Sequence, residues 1–229
     1  MEDYIKFAVL GDPISHSLSP EIHREFARQF HLAIIYERLK TKKNELPQIL
    51  EELKNRNYKG ANITVPLKEE AFWLSSTSGF DISNRAKSSK SVNTIFFKSK
   101  EKIMADNTDG VGLKAAILGL GFENLVGKNL LIIGAGGAVR GILKSLLTMK
   151  PQTVHIANRS LKRLKDFERE FSYDNLIFHD LKNFQGNNQG NKIAKDQSAY
   201  STHKLVFNII INATSSALLK EEKLIDDRW

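Results

Sequence analysis

The sequence predicts an α/β protein in two units, each built around a mostly parallel sheet. Three observations predict it. Short apolar runs alternate with segments of helical period along the chain, the pattern of strand–helix–strand repeats. A polar break falls near Thr108 and is followed by a helical pattern at Gly110–Leu120. Beyond it, the apolar run Leu130–Ile133 leads at once into a glycine-rich turn and an apolar helix pattern, Ile142–Leu147, an arrangement typical of nucleotide-binding α/β units. The expected units are 1–108 and 109–229, with a ligand cleft between them, because domain interfaces are favoured sites for small molecules.

The elements follow in order. Phe7–Leu10 is read as a strand that ends at Gly11-Asp12-Pro13. Ser19 is then a candidate helix N-cap, with Pro20 at the first helical position and a helical period running to Phe30. Further strands are expected at Ala33–Tyr36, Ile63–Val65 and Val92–Phe97, and a helix at Leu46–Arg56. In the second unit, strands are expected at Leu130–Ile133, Val154–Ala157 and Leu205–Ile211, with a helix at Leu161–Phe171. Residues 183–202 are rich in Asn, Gln, Gly, Lys and Ser and have no hydrophobic period. They read as a flexible surface insertion, since so long a structureless loop is uncommon inside a compact domain.

Composition narrows the function classes. Hydrophobic residues make up 41% and charged residues 26% of the 229, as in globular proteins generally. There is no cysteine, which excludes disulfides and thiolate metal sites and suggests a reducing compartment. No metal-ligand cluster stands out, so no metal is expected. The apolar run at the start is too short for a signal peptide or a membrane span, so the expected location is the cytoplasm, with no membrane partner. The net charge of +8 points to anionic partners. Basic residues are interleaved with acidic ones and form no stripe with aromatics, which favours a phosphorylated cofactor and a charged metabolite over nucleic acid. The oligomeric state is left open, a homodimer included.

The glycine turn reads Gly134-Ala135-Gly136-Gly137-Ala138-Val139. Glycines let a backbone approach a pyrophosphate, and the helix N-terminus offers N–H donors and a favourable dipole. The third glycine of the usual pattern is replaced by Val139, and the glycines alone suit a ligand-free turn equally well. The next strand decides between these. An NAD site usually ends it with Asp or Glu, which holds the ribose 2′-hydroxyl. Here it ends with Asn158-Arg159-Ser160, followed by Lys162 and Arg163. A carboxylate would repel a 2′-phosphate, whereas the fork of Arg159 can pair with one, so NADP is the expected cofactor. Lys162 and Arg163, each taken alone, read as a solvated helix face.

Four polar clusters mark the first unit. They are Gly11-Asp12-Pro13-Ile14-Ser15-His16-Ser17-Leu18-Ser19-Pro20, Gly60-Ala61-Asn62-Ile63-Thr64-Val65-Pro66-Leu67-Lys68, Ser91-Val92-Asn93-Thr94, and Asp106-Asn107-Thr108-Asp109-Gly110. Ser17 and Ser19 can point two hydroxyls at one anion. Lys68 is the residue here with an obvious proton-transfer role, although a lysine in a first helical turn is commonly a surface residue. Asp109 also suits a helix N-cap.

Taken in order with Gly134-Ala135-Gly136-Gly137-Ala138, Asn158-Arg159-Ser160 and Ile211-Asn212-Ala213-Thr214-Ser215, these clusters make the chain, from Gly11 to about Ser216, resemble the shikimate dehydrogenases. The resemblance implies an N-terminal α/β substrate domain and a Rossmann-like NADP-binding domain. It implies reversible reduction of 3-dehydroshikimate to shikimate by NADPH, a step of chorismate and aromatic amino-acid biosynthesis. Ser17 and Ser19 would hold the substrate carboxylate; Thr64, Asn93 and Asp109 would hold the ring hydroxyls; Lys68 and Asp109 would form the catalytic pair. Gly134, Gly136, Gly137 and Ala138 would cradle the pyrophosphate. Asn158, Arg159, Ser160 and Arg163 would take the 2′-phosphate, and Thr214 would lie near the nicotinamide. Such an enzyme is an oxidoreductase on an alcohol, which needs a group to take and return the hydroxyl proton. A relative using quinate as well would share most of these motifs, and a non-catalytic NADP- or metabolite-binding homologue would share the glycine turn.

Departures from the family pattern are Lys90-Ser91 in place of a small Gly-Ala pair, Val139 in place of a small residue, and Ala217 in place of glycine. The family's Tyr-bearing C-terminal segment, with closing helices and a glutamine that helps hold substrate, has no match in these residues. The expectation that follows is tighter binding of NADP⁺ than efficient turnover of shikimate.

Overall fold

A computed structural model describes residues 4–99, 101–184 and 206–214. The chain divides into two compact units, Met1–Gly110 and Val111–Trp229.

The first unit is a six-stranded mixed sheet. Strand β1 (Ile5–Gly11) leads through helix α1 (Ser19–Gln29) to β2 (Ile34–Lys40), and helix α2 (Leu46–Asn55) leads to β3 (Tyr58–Ile63). Helix α3 (Lys68–Thr77), the short β4 (Asp81–Ile82) and helix α4 (Asn84–Ser89) precede β5 (Thr94–Phe97) and β6 (Ile103–Asp106). The strand order is β2-β1-β3-β5-β6-β4. β1 runs parallel to β2 and β3, whereas β5 runs antiparallel to both β3 and β6. The two parallel links use helical crossovers, while β5 and β6 are joined by the short turn around Ser99, too short for a parallel return. Apolar side chains of α2 and α3 (Leu46, Leu50, Leu53, Ala71) pack with Leu10, Ile63 and Ile95 of the strands to form the core.

The second unit is a parallel four-stranded sheet in the order β10-β7-β8-β9. Helix α5 (Asp109–Gly119) leads into it, and β7 (Asn129–Ile133), α6 (Gly137–Leu147), β8 (Thr153–Asn158), α7 (Leu161–Glu170), β9 (Leu176–Asp180) and β10 (Ile209–Asn212) follow. The apolar run Leu130–Ile133 is continuous because both faces of its strand are buried. Leu130 and Ile132 face a core with Val139, Leu143 and Phe167, while Leu131 and Ile133 face a second cluster with Ala157 and Phe184. Val139, the departure from the glycine pattern, is fully buried in the first of these cores, so its bulk serves packing of helix on sheet.

Several expectations are corrected. The strand expected at Ile63–Val65 lies earlier, at Tyr58–Ile63, and residues 64–67 turn sharply, with the Leu67 N–H donating to the Thr64 carbonyl at 2.8 Å. Pro66 lacks the N–H that a longer strand would need. Ser19 does not cap α1: the N-cap is Leu18, with no side-chain cap, and Ser19 is the first helical residue. The expected insertion at 183–202 lies, from 185 on, outside the described residues, as does Leu205. Among the described residues no helix is long and apolar enough to cross a membrane.

Candidate active site

The antiparallel placement of β5 brings the four polar clusters to one edge of the first sheet. Asn62 pairs with Thr94, Thr94 with Asp106, and Leu10 with Ile63. The C-terminal ends of β1, β3 and β6 therefore lie beside the N-terminal end of β5. Residues from segments far apart in sequence converge there, at the strand ends where α/β sheets bind ligands.

Lys68 and Asp109 meet at this edge. Lys68 Nζ lies 2.6 Å from Asp109 Oδ2, and the two side chains are 13% and 19% exposed. The other carboxylate oxygen, Oδ1, accepts from Asn93 Nδ2 at 2.8 Å. Asp109 is thus held at both oxygens, and its side chain does not serve as a helix cap. Its backbone N–H donates instead to Asn107 Oδ1 at 3.0 Å. Asn107 is buried and donates to the Ser91 carbonyl at 2.9 Å, while the Val92 N–H donates to the Lys68 carbonyl at 2.9 Å. Asn93 is fixed in turn: its Oδ1 accepts from Thr94 Oγ1 at 2.8 Å and from the Thr108 N–H at 3.0 Å. Lys68 is therefore no loose surface lysine, although it does open α3.

Thr64 heads the turn after β3, with its N–H donating to the Leu10 carbonyl at 2.9 Å. Its methyl packs where Gly11 has no side chain; a Cβ on Gly11 would come within 2.5 Å of Thr64 Cγ2. Ser17 Oγ donates to Ser19 Oγ at 3.1 Å, so the serine pair is assembled. Arg38 Nε clamps the Ser17 carbonyl at 2.6 Å while Nη2 engages both oxygens of Glu21 at 2.7 Å; those bonds hold the Glu21 carboxyl below the usual range. One residue not singled out from sequence completes the edge. Tyr36 is buried in β2 and donates to Asn62 Oδ1 at 2.5 Å. The available signal was a tyrosine inside an apolar run, since a buried phenol needs a partner.

In the second unit, Gly134 follows β7 with φ 122°, a left-handed conformation, and a Cβ there would sit 3.0 Å from the Ala213 carbonyl. Gly136 is the N-cap of α6 and supplies no side-chain cap; Gly137 and Ala138 form the first turn. Arg163 is exposed on α7, but its side chain reaches back toward the glycine turn. Its Nη1 is 3.5 Å from the place of a Gly136 Cβ, so its guanidinium stands over the glycine turn. Ser160 caps α7 by accepting from the Arg163 N–H at 3.4 Å, and Asn158 Nδ2 donates to the Ser160 carbonyl at 3.2 Å. Arg159 stands exposed at the end of β8. Thr214 follows β10 and donates to Asn212 Oδ1 from both its N–H (3.1 Å) and Oγ1 (2.8 Å). Because Asn212 pairs with Ile133, Thr214 lies beside Gly134. A helix N-terminus opened by Gly136, a glycine turn before it and an arginine over it fit the phosphates of a dinucleotide.

Residues 9–95 match the family described as shikimate dehydrogenase substrate binding domain, and residues 117–194 match the family described as shikimate / quinate 5-dehydrogenase. A shikimate dehydrogenase (NADP(+)) of Nitrosomonas europaea is 37% identical over 94% of this chain and 70% of its own length. One from Chromobacterium violaceum is 38% identical over 94% of this chain and 71% of its own length. A crystal structure of shikimate 5-dehydrogenase from Thermus thermophilus, in complex with NADP(H) and shikimate, superposes with a TM-score of 0.68 at 28% identity, covering 92% of this chain and 69% of that one.

Proposed function

The chain belongs to the shikimate dehydrogenase family, and from that membership we infer that it catalyses the reversible NADPH-dependent reduction of 3-dehydroshikimate to shikimate. The observation that carries the mechanism is the Lys68–Asp109 pair, braced by Asn93 and half-buried at the sheet edge.

We propose the following roles. Ser17 and Ser19 offer paired hydroxyls to the substrate carboxylate, while Thr64, Asn93 and Asp109 hold the ring hydroxyls. An ammonium has three donors. Asp109 engages one on Lys68, which leaves the others for the substrate oxygen. In reduction, Lys68 Nζ gives a proton to the carbonyl oxygen as the carbonyl carbon becomes a C–H; in oxidation it takes the hydroxyl proton back. Asp109 holds Nζ in position through both directions. The bound cofactor supplies or accepts the hydride. Gly134, Gly136, Gly137 and Ala138 present backbone to its pyrophosphate. Arg159, with Asn158, Ser160 and Arg163, faces the 2′-phosphate, and Thr214 lies toward the nicotinamide end. The interleaving of basic and acidic residues supports small anionic ligands rather than nucleic acid as partners, and the absence of cysteine supports a cytoplasmic location.

The test is NADP⁺ reduction with shikimate and, separately, with quinate. Turnover of shikimate well above quinate is expected. No turnover of either, with NADP⁺ bound normally, would leave only a cofactor-binding homologue.

A further inference from the structure

Resting on the substrate reading above, we propose that Tyr36 is a positioning residue that ties the first turn of α1, which carries Ser19, to the Asn93–Asp109–Lys68 array, its ring through His23 and its hydroxyl through Asn62, fixing the two ends of the substrate site relative to each other. Tyr36 lies in β2, outside every motif that marks the site, and is only 7% exposed. Its ring is held rather than merely enclosed: His23 stacks on one side at 4.3 Å between centroids, 23° from parallel, and Phe7 packs at 6.4 Å. His23 Nδ1 also donates to the Ser19 carbonyl at 2.8 Å, which ties the first turn of α1 to the same ring.

The hydroxyl donates to Asn62 Oδ1 at 2.5 Å, and burial pushes the phenol well above its ordinary range. Tyr36 is therefore a neutral phenol throughout the working range of pH. From Asn62 the array continues, with Nδ2 donating to the Asn93 carbonyl at 3.3 Å and to Thr94 Oγ1 at 3.4 Å. Thr94 Oγ1 donates to Asn93 Oδ1, and Asn93 Nδ2 to Asp109 Oδ1. On the other side Ser19 Oγ accepts from Ser17. A phenylalanine would fill the same space and keep the stack. What the oxygen adds is the bond to Asn62, which fastens the ring, and with it His23 and the first turn of α1, to the array. The serines on that turn act on the non-reacting end of the substrate, so loosening them should weaken binding more than the chemical step.

The test compares the parent with Tyr36→Phe, Ser19→Ala and the double variant. Steady-state kinetics in the shikimate-oxidising direction and calorimetric shikimate binding would be measured for all four. Tyr36→Phe is expected to raise the shikimate KM and Kd about five- to tenfold, as for one lost hydrogen bond, with kcat within about twofold and the NADP⁺ KM unchanged. The double variant should bind shikimate no more weakly than about twofold below Ser19→Ala, because Tyr36 acts on the substrate through the placement of Ser19. An unchanged shikimate affinity, a loss that multiplies with that of Ser19→Ala, or an equal loss for NADP⁺ would overturn the proposal. A parent that binds shikimate but turns over neither shikimate nor quinate would overturn the enzymatic reading instead, and the four binding constants would still decide the role of Tyr36. A parent that does not bind shikimate would overturn both.

Discussion

Lys68 opens α3, where the helix dipole disfavours a cation by about 0.3–1 kcal/mol. The first turn offsets this with Glu69 and Glu70, and Asp109 approaches Nζ to 2.6 Å. A position unfavourable to the helix yet braced by a second segment is consistent with a residue kept for chemistry. Lys68→Ala should lower kcat by about 10²- to 10⁴-fold, the usual contribution of a general acid–base group, with little change in shikimate KM. A kcat within a few-fold of the parent would reduce Lys68 to a structural ion pair. Arg159 lends itself to the same analysis. A charge-assisted hydrogen bond is worth about 1.5–3 kcal/mol, so Arg159→Ala should weaken NADP⁺ roughly tenfold or more and leave NAD⁺ nearly unaffected. Equal losses for the two cofactors, measured by calorimetry, would remove the phosphate assignment. At this scale the sequence proposed Lys68, Asp109 and Arg159 through their motifs. It misjudged Ser19 as a cap and passed over Tyr36, because which atom a hydroxyl reaches depends on segments that meet only after folding.

Among the elements, α4 shows how a departure from the family pattern is accommodated. Lys90 stands where related chains usually have glycine, and it forms the C-cap of α4 with φ 49° and ψ 40°. A side chain in that left-handed conformation costs about 1–2 kcal/mol, which glycine avoids. Lys90→Gly should therefore stabilise the protein by about 0.5–1 kcal/mol, seen as a rise in the urea midpoint with an unchanged slope. A fall in the midpoint would mean that the lysine side chain contributes more than its backbone costs. The strand elements carry a parallel lesson. β7 was legible because both its faces are buried and its apolar run is continuous, and β8 was legible because apolar residues flank its buried His155. β6 and β9, with Asp106 in one and His179 and Asp180 in the other, escaped notice because their polar residues interrupt the pattern. β2 runs on past its apolar start through Glu37, Arg38 and Lys40, charges that an edge strand tolerates.

For the whole molecule the relevant quantity is the net charge of +8 set against two anionic ligands. The Debye length is about 8 Å at 0.15 M ionic strength and about 30 Å at 0.01 M. Lowering the ionic strength between these limits should raise kcat/KM for NADP⁺ several-fold, and that for NAD⁺ by less, because NAD⁺ lacks the 2′-phosphate. A flat or equal response would show that the surplus charge does not attract the cofactor. Each unit carries its own core, so substitutions confined to one core should act on that unit's packing first.

Local chemistry was sufficient for much of this. Periodicity in the apolar residues determined the α/β class, because burial on a strand or helix face repeats at a fixed spacing. The glycine turn, Arg159 and the ordered polar clusters determined the cofactor type and supplied the candidate residues of the site, because those chemical types must be written into the chain wherever they are used. Tertiary structure alone decided that β5 runs antiparallel and so brings Asn93 to Asp109, that Asp109 bonds Lys68 and Asn93 rather than capping α5, that Arg163 turns over Gly136, and that Tyr36 stacks on His23 and bonds Asn62. Each of these is a contact between segments distant in sequence. Its geometry is set by strand direction and packing, neither of which leaves a local mark on the residues involved.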